Sequence, residues 1–376
     1  MFIPLCATSP SFTTAFSGSA APSIIIMASV GTLSLFFPVF LPTAGAAALY
    51  FAHKALYVDW IGYARDFLLG PGRTSRILLT LFILGNLKNI PFAWTIRVFH
   101  SFLYHIGFGR KPPVLPPRAL FHYSITQTHT SLLETDYNLH KSNSTYFSDL
   151  DVSRSHLVTH LVGSTMPRFS DNAKTKIILD PAGNVVKGGF GIGLGAVFCS
   201  FKKEIAPYQG YETWSRILSW DRKWLYIVTH FVVKGKVRPT SWDGKKCGPV
   251  RERKVKTEGG KEGETVDDVD FSKYIYATAI SKYVFKLGRF TVHPAIVIQE
   301  AGLLPERPGG WRGGENGVGL EEELGEIVED GEWDWRKVEF ERRKGMEFAQ
   351  HFAALDGTHG MFDGGKDGAL GRFPIG

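Results

Sequence analysis

Asp136-Tyr137-Asn138-Leu139-His140-Lys141-Ser142-Asn143-Ser144-Thr145-Tyr146 brings a carboxylate, an imidazole and an amide together just ahead of a helix-like stretch. Upstream, Phe121 to Ser131 carries the β-branched and aromatic content of a strand. Downstream, Tyr146, Phe147, Leu150, Leu157, Val158 and Leu161 recur at helical spacing, with Asp149, Asp151 and Arg154 between them. Ser142, Asn143 and Ser144 are all good N-cap residues for that helix. The spacing therefore sets Asp136 on a turn, close to the unpaired N–H groups and positive dipole end of a helix. A carbonyl held there would have its developing oxyanion stabilised, and Asp136 is placed to attack it or to deprotonate a water. Set against this, an Asp before a helix is most often only a cap or turn residue.

The D-x-x-x-H-x-x-N-x-x-Y spacing of Asp136, His140, Asn143 and Tyr146 resembles the signature of hot-dog-fold acyl-CoA thioesterases of the 4-hydroxybenzoyl-CoA type. The resemblance implies an α+β fold, an antiparallel sheet wrapped around a central helix. It makes Asp136 the nucleophile or general base and the Asn143 backbone N–H the oxyanion donor. His140 and the Asn143 side chain become positioning groups, and Tyr146 and Asn138 substrate-binding ones. It implies an acyl-CoA or carrier-bound thioester (fatty-acyl or polyketide-type) as substrate, a homodimer or higher assembly, and neither cofactor nor metal. Leu139 stands where many members carry Gly, and Ser142 replaces the first Asn of the pattern; an apolar residue at the Gly position is familiar from the membrane-anchored, thioesterase-like branch. A non-catalytic acyl-binding or scaffold protein that keeps the fold is the alternative. Hydratase chemistry is the lesser one, because Asp136, Asn138 and His140 only approximate D-x-N-P-x-H. Members with this layout occur widely in fungi, some beside secondary-metabolite genes.

A single domain of this kind needs only part of the 376 residues. Residues 1–23 read as disordered. The first fifty residues hold no Lys, Arg, Asp or Glu, and Ile24 to Ala52 is apolar enough to span a bilayer of about 30 Å. The first basic residues, Lys54, Arg65, Arg73 and Arg76, all follow it, which puts that flank in the cytosol. The expectation is a membrane anchor at 24–52, in the endoplasmic reticulum, with the catalytic domain facing the cytosol. The sequon Asn143-Ser-Thr agrees, since a glycan there would block the site.

Residues 53–109 read as amphipathic helices lying on the membrane or against the domain, and 110–118 as a stiff Pro-rich connector. The thioesterase-like domain occupies 119–300, interrupted by a charged insertion at 238–271. Within it, Gly188 to Gly195 suggests a dinucleotide loop only weakly; strand-like residues follow, so a bent strand is the better reading. Tyr211–Trp220 and Trp224–Lys234 read as a hairpin turning at Asp221 and Arg222, and Tyr274 to Val292 as the closing strands. Residues 301–376 form an acidic tail with an amphipathic helix near 335–355. Cys6, Cys199 and Cys247 suggest neither disulfide framework nor zinc site. The formal charge of +7 is too moderate to point to nucleic acid, and none is expected as a partner.

Overall fold

The computed structural model describes residues 45–47, 49–107, 114–239, 271–311 and 333–361. Most of the expected anchor (24–44 and 48), residues 110–113 of the connector, 240–270 of the insertion and 312–332 of the tail lie outside the described residues.

Six antiparallel strands form one sheet: β1 (Ser124–His129), β2 (Phe190–Phe201), β3 (Gly210–Trp220), β4 (Trp224–Val233), β5 (Ile275–Leu287) and β6 (Phe290–Val292). Their order is β1-β3-β4-β5-β2, with β6 also paired to β5. Short helices α1 (Trp60–Leu69), α2 (Arg73–Gly85) and α3 (Ala93–Phe102) precede the sheet. The central helix α4 (Tyr146–Val162) follows β1 and packs on β1 and β3, with α3 on its other flank. A helix wrapped by an antiparallel sheet is the architecture expected of a hot-dog fold.

Alternation along β3 and β4 decides which side chains meet α4. Tyr211 and Phe231 join Tyr146 and Leu150 in one apolar cluster at the N-terminal half of the helix. Ile217, Leu225 and Ile227 join Leu157, Val158 and Leu161 in a second at its C-terminal half. Between the two runs a hydroxyl seam: Ser153 Oγ to Ser215 Oγ at 2.7 Å, and Ser215 Oγ to Thr229 Oγ1 at 2.7 Å. These buried hydroxyls satisfy one another, so the seam fixes the helix position without stranding a polar group.

The glycine-rich stretch is strand β2, not a phosphate loop. A bulge between Leu194 and Ala196 sets Gly195 beneath the indole of Trp224, where a Cβ would stand 2.4 Å from the ring. The expected strand at Phe121–Ser131 is shorter, because Pro116 and Pro117 lead into a 3₁₀ turn over Pro117–Phe121. The hairpin turn is as expected: Asp221 Oδ1 accepts the Lys223 and Trp224 N–H groups at 2.7 Å each.

The described part of the tail is a structural layer. After the short helices α5 (Met166–Ser170) and α6 (Asn172–Thr175) and, beyond the last strand, α7 (Pro294–Glu300), helices α8 (Trp335–Ala349) and α9 (His351–Asp356) lie on the convex face of the sheet. Gly345 permits that approach, since a Cβ there would sit 1.9 Å from the Leu218 carbonyl oxygen. Arg342 donates to Trp220 O at 3.0 Å, and Ser219 Oγ donates to Arg342 O at 2.6 Å. The fully buried Glu339 is paired with Arg342, Arg343 and Arg307.

Candidate active site

Asp136 sits in a tight loop between a 3₁₀ turn at Leu132–Glu134 and the helix start. Thr135 and Lys141 bridge across the loop. The Asp136 N–H donates to His140 O at 2.9 Å, and the Leu139 N–H donates to Asp136 O at 3.0 Å. Asp136 Oδ1 accepts the Asn138 N–H at 2.9 Å, while Oδ2 has no partner among the described residues. The turn closes only because Leu139 adopts φ = 60°, the left-handed conformation. The family pattern's Gly at this position thus has a conformational reason, and the Leu here costs about 1–2 kcal/mol.

Asn143 opens a 3₁₀ turn, Asn143–Thr145, that runs into α4 with no side-chain cap. The Thr145 N–H, donating to Ser142 O, makes the first bond of that turn. The N–H groups of Asn143 and Ser144 therefore lack intrahelical acceptors and point out of the helix start. Asp136, Asn138 and His140 fall in one loop, and Asn143 opens the 3₁₀ turn that follows it. His140 Nε2 lies 3.2 Å from Glu204 Oε2, while its Nδ1 is buried without a partner among the described residues. Tyr146 faces inward instead: it is 2% exposed and meets the rings of Phe201 and Phe231 edge-on.

Beneath the loop lies a buried ionic cluster that sequence reasoning missed. Asp149, in the first turn of α4, pairs with Lys88 at 2.9 Å, Arg97 at 2.8 Å and Lys141 at 3.0 Å, and accepts the Tyr211 hydroxyl. Glu134 pairs with Lys88 at 2.8 Å and Lys141 at 3.2 Å, and completes a capping box with Ser131. Burial pushes the Asp149 carboxyl up, but Lys88, Lys141, Arg97 and the Tyr211 hydroxyl outweigh it and hold it well below the usual carboxylate range. Three cations and two carboxylates leave one net positive charge under the helix start, on the side that favours a developing anion. Asn86 and Asn89 complete the clasp: Asn86 Oδ1 accepts the Leu133 N–H at 2.9 Å, and Asn89 Oδ1 accepts the Ser131 hydroxyl at 2.6 Å. The polar residues that follow the apolar run of α2, Asn86, Lys88 and Asn89, are thus the ones that grip the loop.

Two cavities flank α4, and Asp136, His140 and Asn143 line neither. The larger, about 920 Å³, is lined by His100, His105, His156, His160, Trp214 and His230, among others. His105 Nε2 and His156 Nδ1 are 3.2 Å apart. Burial, with His100, Arg97 and His160 nearby, lowers His156 to about 4; burial and Arg216 lower His230 to about 4. The smaller, about 390 Å³, lies between α3, α4 and the β2–β5 ladder. Among the described residues, no group of three or more His, Cys, Asp or Glu is placed to hold a metal.

No protein-family model matches the chain. Thioesterase poxG of Penicillium oxalicum is 35% identical over 301 residues, 77% of this chain and 89% of its own. Probable thioesterase atnL of Emericella nidulans is 36% identical over 307 residues, 78% and 89%. Among solved structures, YbaW Probable Thioesterase from Escherichia coli aligns with 48% of this chain and 96% of its own, at 8% identity and a TM-score of 0.31, too loose a superposition to carry an inference. On the sequence relatives, the chain belongs to this family of fungal thioesterases and is a hydrolase.

Proposed function

We propose that the chain hydrolyses an acyl-CoA or carrier-bound acyl thioester, in the manner of the 4-hydroxybenzoyl-CoA type, with Asp136 as the essential carboxylate. The observation that carries this reading is the loop geometry. Asp136 keeps one carboxylate oxygen without a partner among the described residues, a few residues ahead of an uncapped helix start seated on net positive charge. Asp136 either attacks the carbonyl carbon, forming an anhydride that water then hydrolyses to free the carboxylate, or takes a proton from a water that attacks the carbon itself. The Asn143 N–H receives the oxyanion, the C–S bond breaks, and the leaving thiolate takes up a proton. His140, held by Glu204, positions the loop, and Asn138 lies beside the substrate.

The test is free-thiol release by the full-length protein in lipid from a panel of acyl-CoA chain lengths. Asp136→Asn and Asp136→Ala are expected to lose about a hundredfold or more in turnover, the scale of an essential group. Turnover by both variants at the wild-type rate would remove Asp136 from the chemistry.

The open β2 edge, with Leu194, Phe198 and Phe201 exposed, supports pairing with a second copy. Sedimentation of the purified protein as a monomer would oppose it. Membrane attachment with a cytosolic active site rests on the uncharged N-terminus and its basic flank. The exposed apolar side chains of α1 and α2, among them Ile61, Leu69, Leu78 and Leu81, add to it. Among the described residues no single helix is long and apolar enough to cross a membrane; α1 and α2 together reach that length and composition but are bent by 105°. Fractionation of the native host is expected to recover the protein with endoplasmic reticulum membranes. Glycosidase-sensitive mass at Asn143 would place the domain in the lumen instead.

A further inference from the structure

Half of the chain's 12 histidines line one cavity. His100, His105, His122, His156, His160 and His230 border the larger space, of about 920 Å³, together with Arg238, and no Asp or Glu borders it among the described residues. Leu115, Phe121, Leu157 and Leu161 give it a buried apolar wall. His100 is exposed and the other five histidines keep partial exposure, so a ligand can reach imidazole there. The volume lies within the range of small-molecule sites.

Four of the histidines interlock. His100 comes from α3, His105 from the π turn that continues it (Leu103–Gly107), and His156 and His160 from α4. His105 Nε2 and His156 Nδ1 are 3.2 Å apart, and the ring centres of His105 and His160 lie 5.1 Å apart. Those of His100 and His156 lie 5.9 Å apart. Neutral rings accept this spacing, but charged ones would repel each other and Arg97, and burial and that company hold His156 low. The carboxylates of α4 offer no relief: Asp149 is taken by Lys88, Arg97 and Lys141, and Asp151 by Arg154. On β3, Glu212 accepts from Gln127 and the Trp214 indole, and Arg216 keeps His230 low from the same strand.

The cavity thus gathers proton acceptors and lacks a counter-ion. An anion entering it would let one imidazole hold a proton and donate it in a charge-assisted hydrogen bond. The apolar wall asks that anion to bring an apolar body, and a second charge on it would enter without a partner of its own.

We infer that this cavity is a second ligand site, separate from the Asp136 loop, that binds an apolar monocarboxylate with its carboxylate against the histidines of α3, the π turn and α4. The inference does not rest on the thioester reading.

The test is calorimetric. 2-Naphthoate is titrated into the full-length protein in detergent, against a protein-free micelle blank, in two buffers of different ionisation enthalpy. Near neutral pH, binding is expected to bring about one-half to one proton onto the protein. Affinity should rise about tenfold from about pH 8 to about pH 6, where the ligand, with a carboxyl pKa of about 4, stays ionised. The neutral isostere 2-acetonaphthone should take up no proton and show no such rise. His156→Phe with His160→Leu should weaken 2-naphthoate about tenfold at the lower pH, whereas Asp136→Asn should bind it as wild type does. Absent binding, binding by wild type without proton uptake, undiminished binding by the double variant, or loss of binding in Asp136→Asn overturns the inference. The wild-type proton count decides the matter if the double variant does not fold. Thiol release measured beside it keeps the readings apart, since absent turnover with intact proton-linked binding removes only the hydrolytic one.

Discussion

Replacing Asp149 by Asn tests the buried cluster most directly. The side chain keeps its shape but loses the charge that Lys88, Arg97 and Lys141 approach at 2.8–3.0 Å. The carboxylate accepts at both oxygens, whereas the amide must turn an NH₂ group toward one of the cations. With Asp149 at 2% exposure and both lysine side chains at 5% or less, water can reach the cluster only at Arg97, whose side chain is 25% exposed. Breaking one partner of a buried ion pair costs about 3–5 kcal/mol, a large share of a total stability of roughly 5–15 kcal/mol. Thermal unfolding should move down by about 10 °C. Urea unfolding followed by circular dichroism gives the free energy, with the exposed Glu347→Gln as a control expected to stay within about 0.5 kcal/mol. Lys88→Met in the same chain should restore part of the loss, because it removes one of the stranded cations. A loss below about 1 kcal/mol, or strict additivity with Lys88→Met, would refute the claim that these charges act as a unit.

Leu139→Gly relieves a left-handed leucine at the candidate active-site loop and should stabilise the fold by about 0.5–1 kcal/mol, the steric gain less the chain entropy of glycine; a destabilised variant in urea unfolding would contradict this. Gly345→Ala, normally favourable in a helix, should instead cost about 1–3 kcal/mol, because the added carbon meets the Leu218 carbonyl; differential scanning calorimetry reads the sign. His156 and His230 titrate near 4 in the fold and near 6.5 when unfolded, so protonation favours the unfolded chain. Their contribution is complete above about pH 6.5 and is lost as pH falls toward about 4; His156→Phe with His230→Gln should flatten stability over that window. Asp149, held low in the fold, adds a separate loss below about pH 4, where its unfolded carboxyl protonates. Acid unfolding of Asp149→Asn should lack that step.

The sequence carried the local decisions well. Asp221 marked its turn, aromatic and β-branched runs marked β3, β4 and β5, and the helical spacing after Tyr146 marked α4. The hot-dog pattern then supplied the topology and proposed the loop chemistry. Hidden from it was whatever depends on partners distant in the chain. Lys88, Glu134, Lys141 and Asp149 look like ordinary surface charges until the fold brings them together. His156 and His160 show helical i, i+4 spacing, but nothing along the chain announces that His105 will meet them. The convex-face role of α8 was equally silent, although Gly345 in mid-helix is the kind of residue that signals a close approach. Tyr146 matched the motif and lies in the core, a reminder that a motif position and an accessible side chain are different things.

Lys88 and Arg97 reach the ionic cluster beneath the loop from the helical segment that precedes the Pro-rich connector. A chain shortened to begin at Leu120 would lose both and keep Lys141, Glu134 and Asp149, turning the charge beneath the helix start from one positive to one negative. Such a fragment would present the same residues on a surface of opposite polarity, now repelling the anion that the intact protein favours. Ending it at Glu300 would also uncover the sheet face beneath α8. The helical segment ahead of the connector is part of the electrostatics of the candidate site, and silence from the shortened domain would say nothing about the whole.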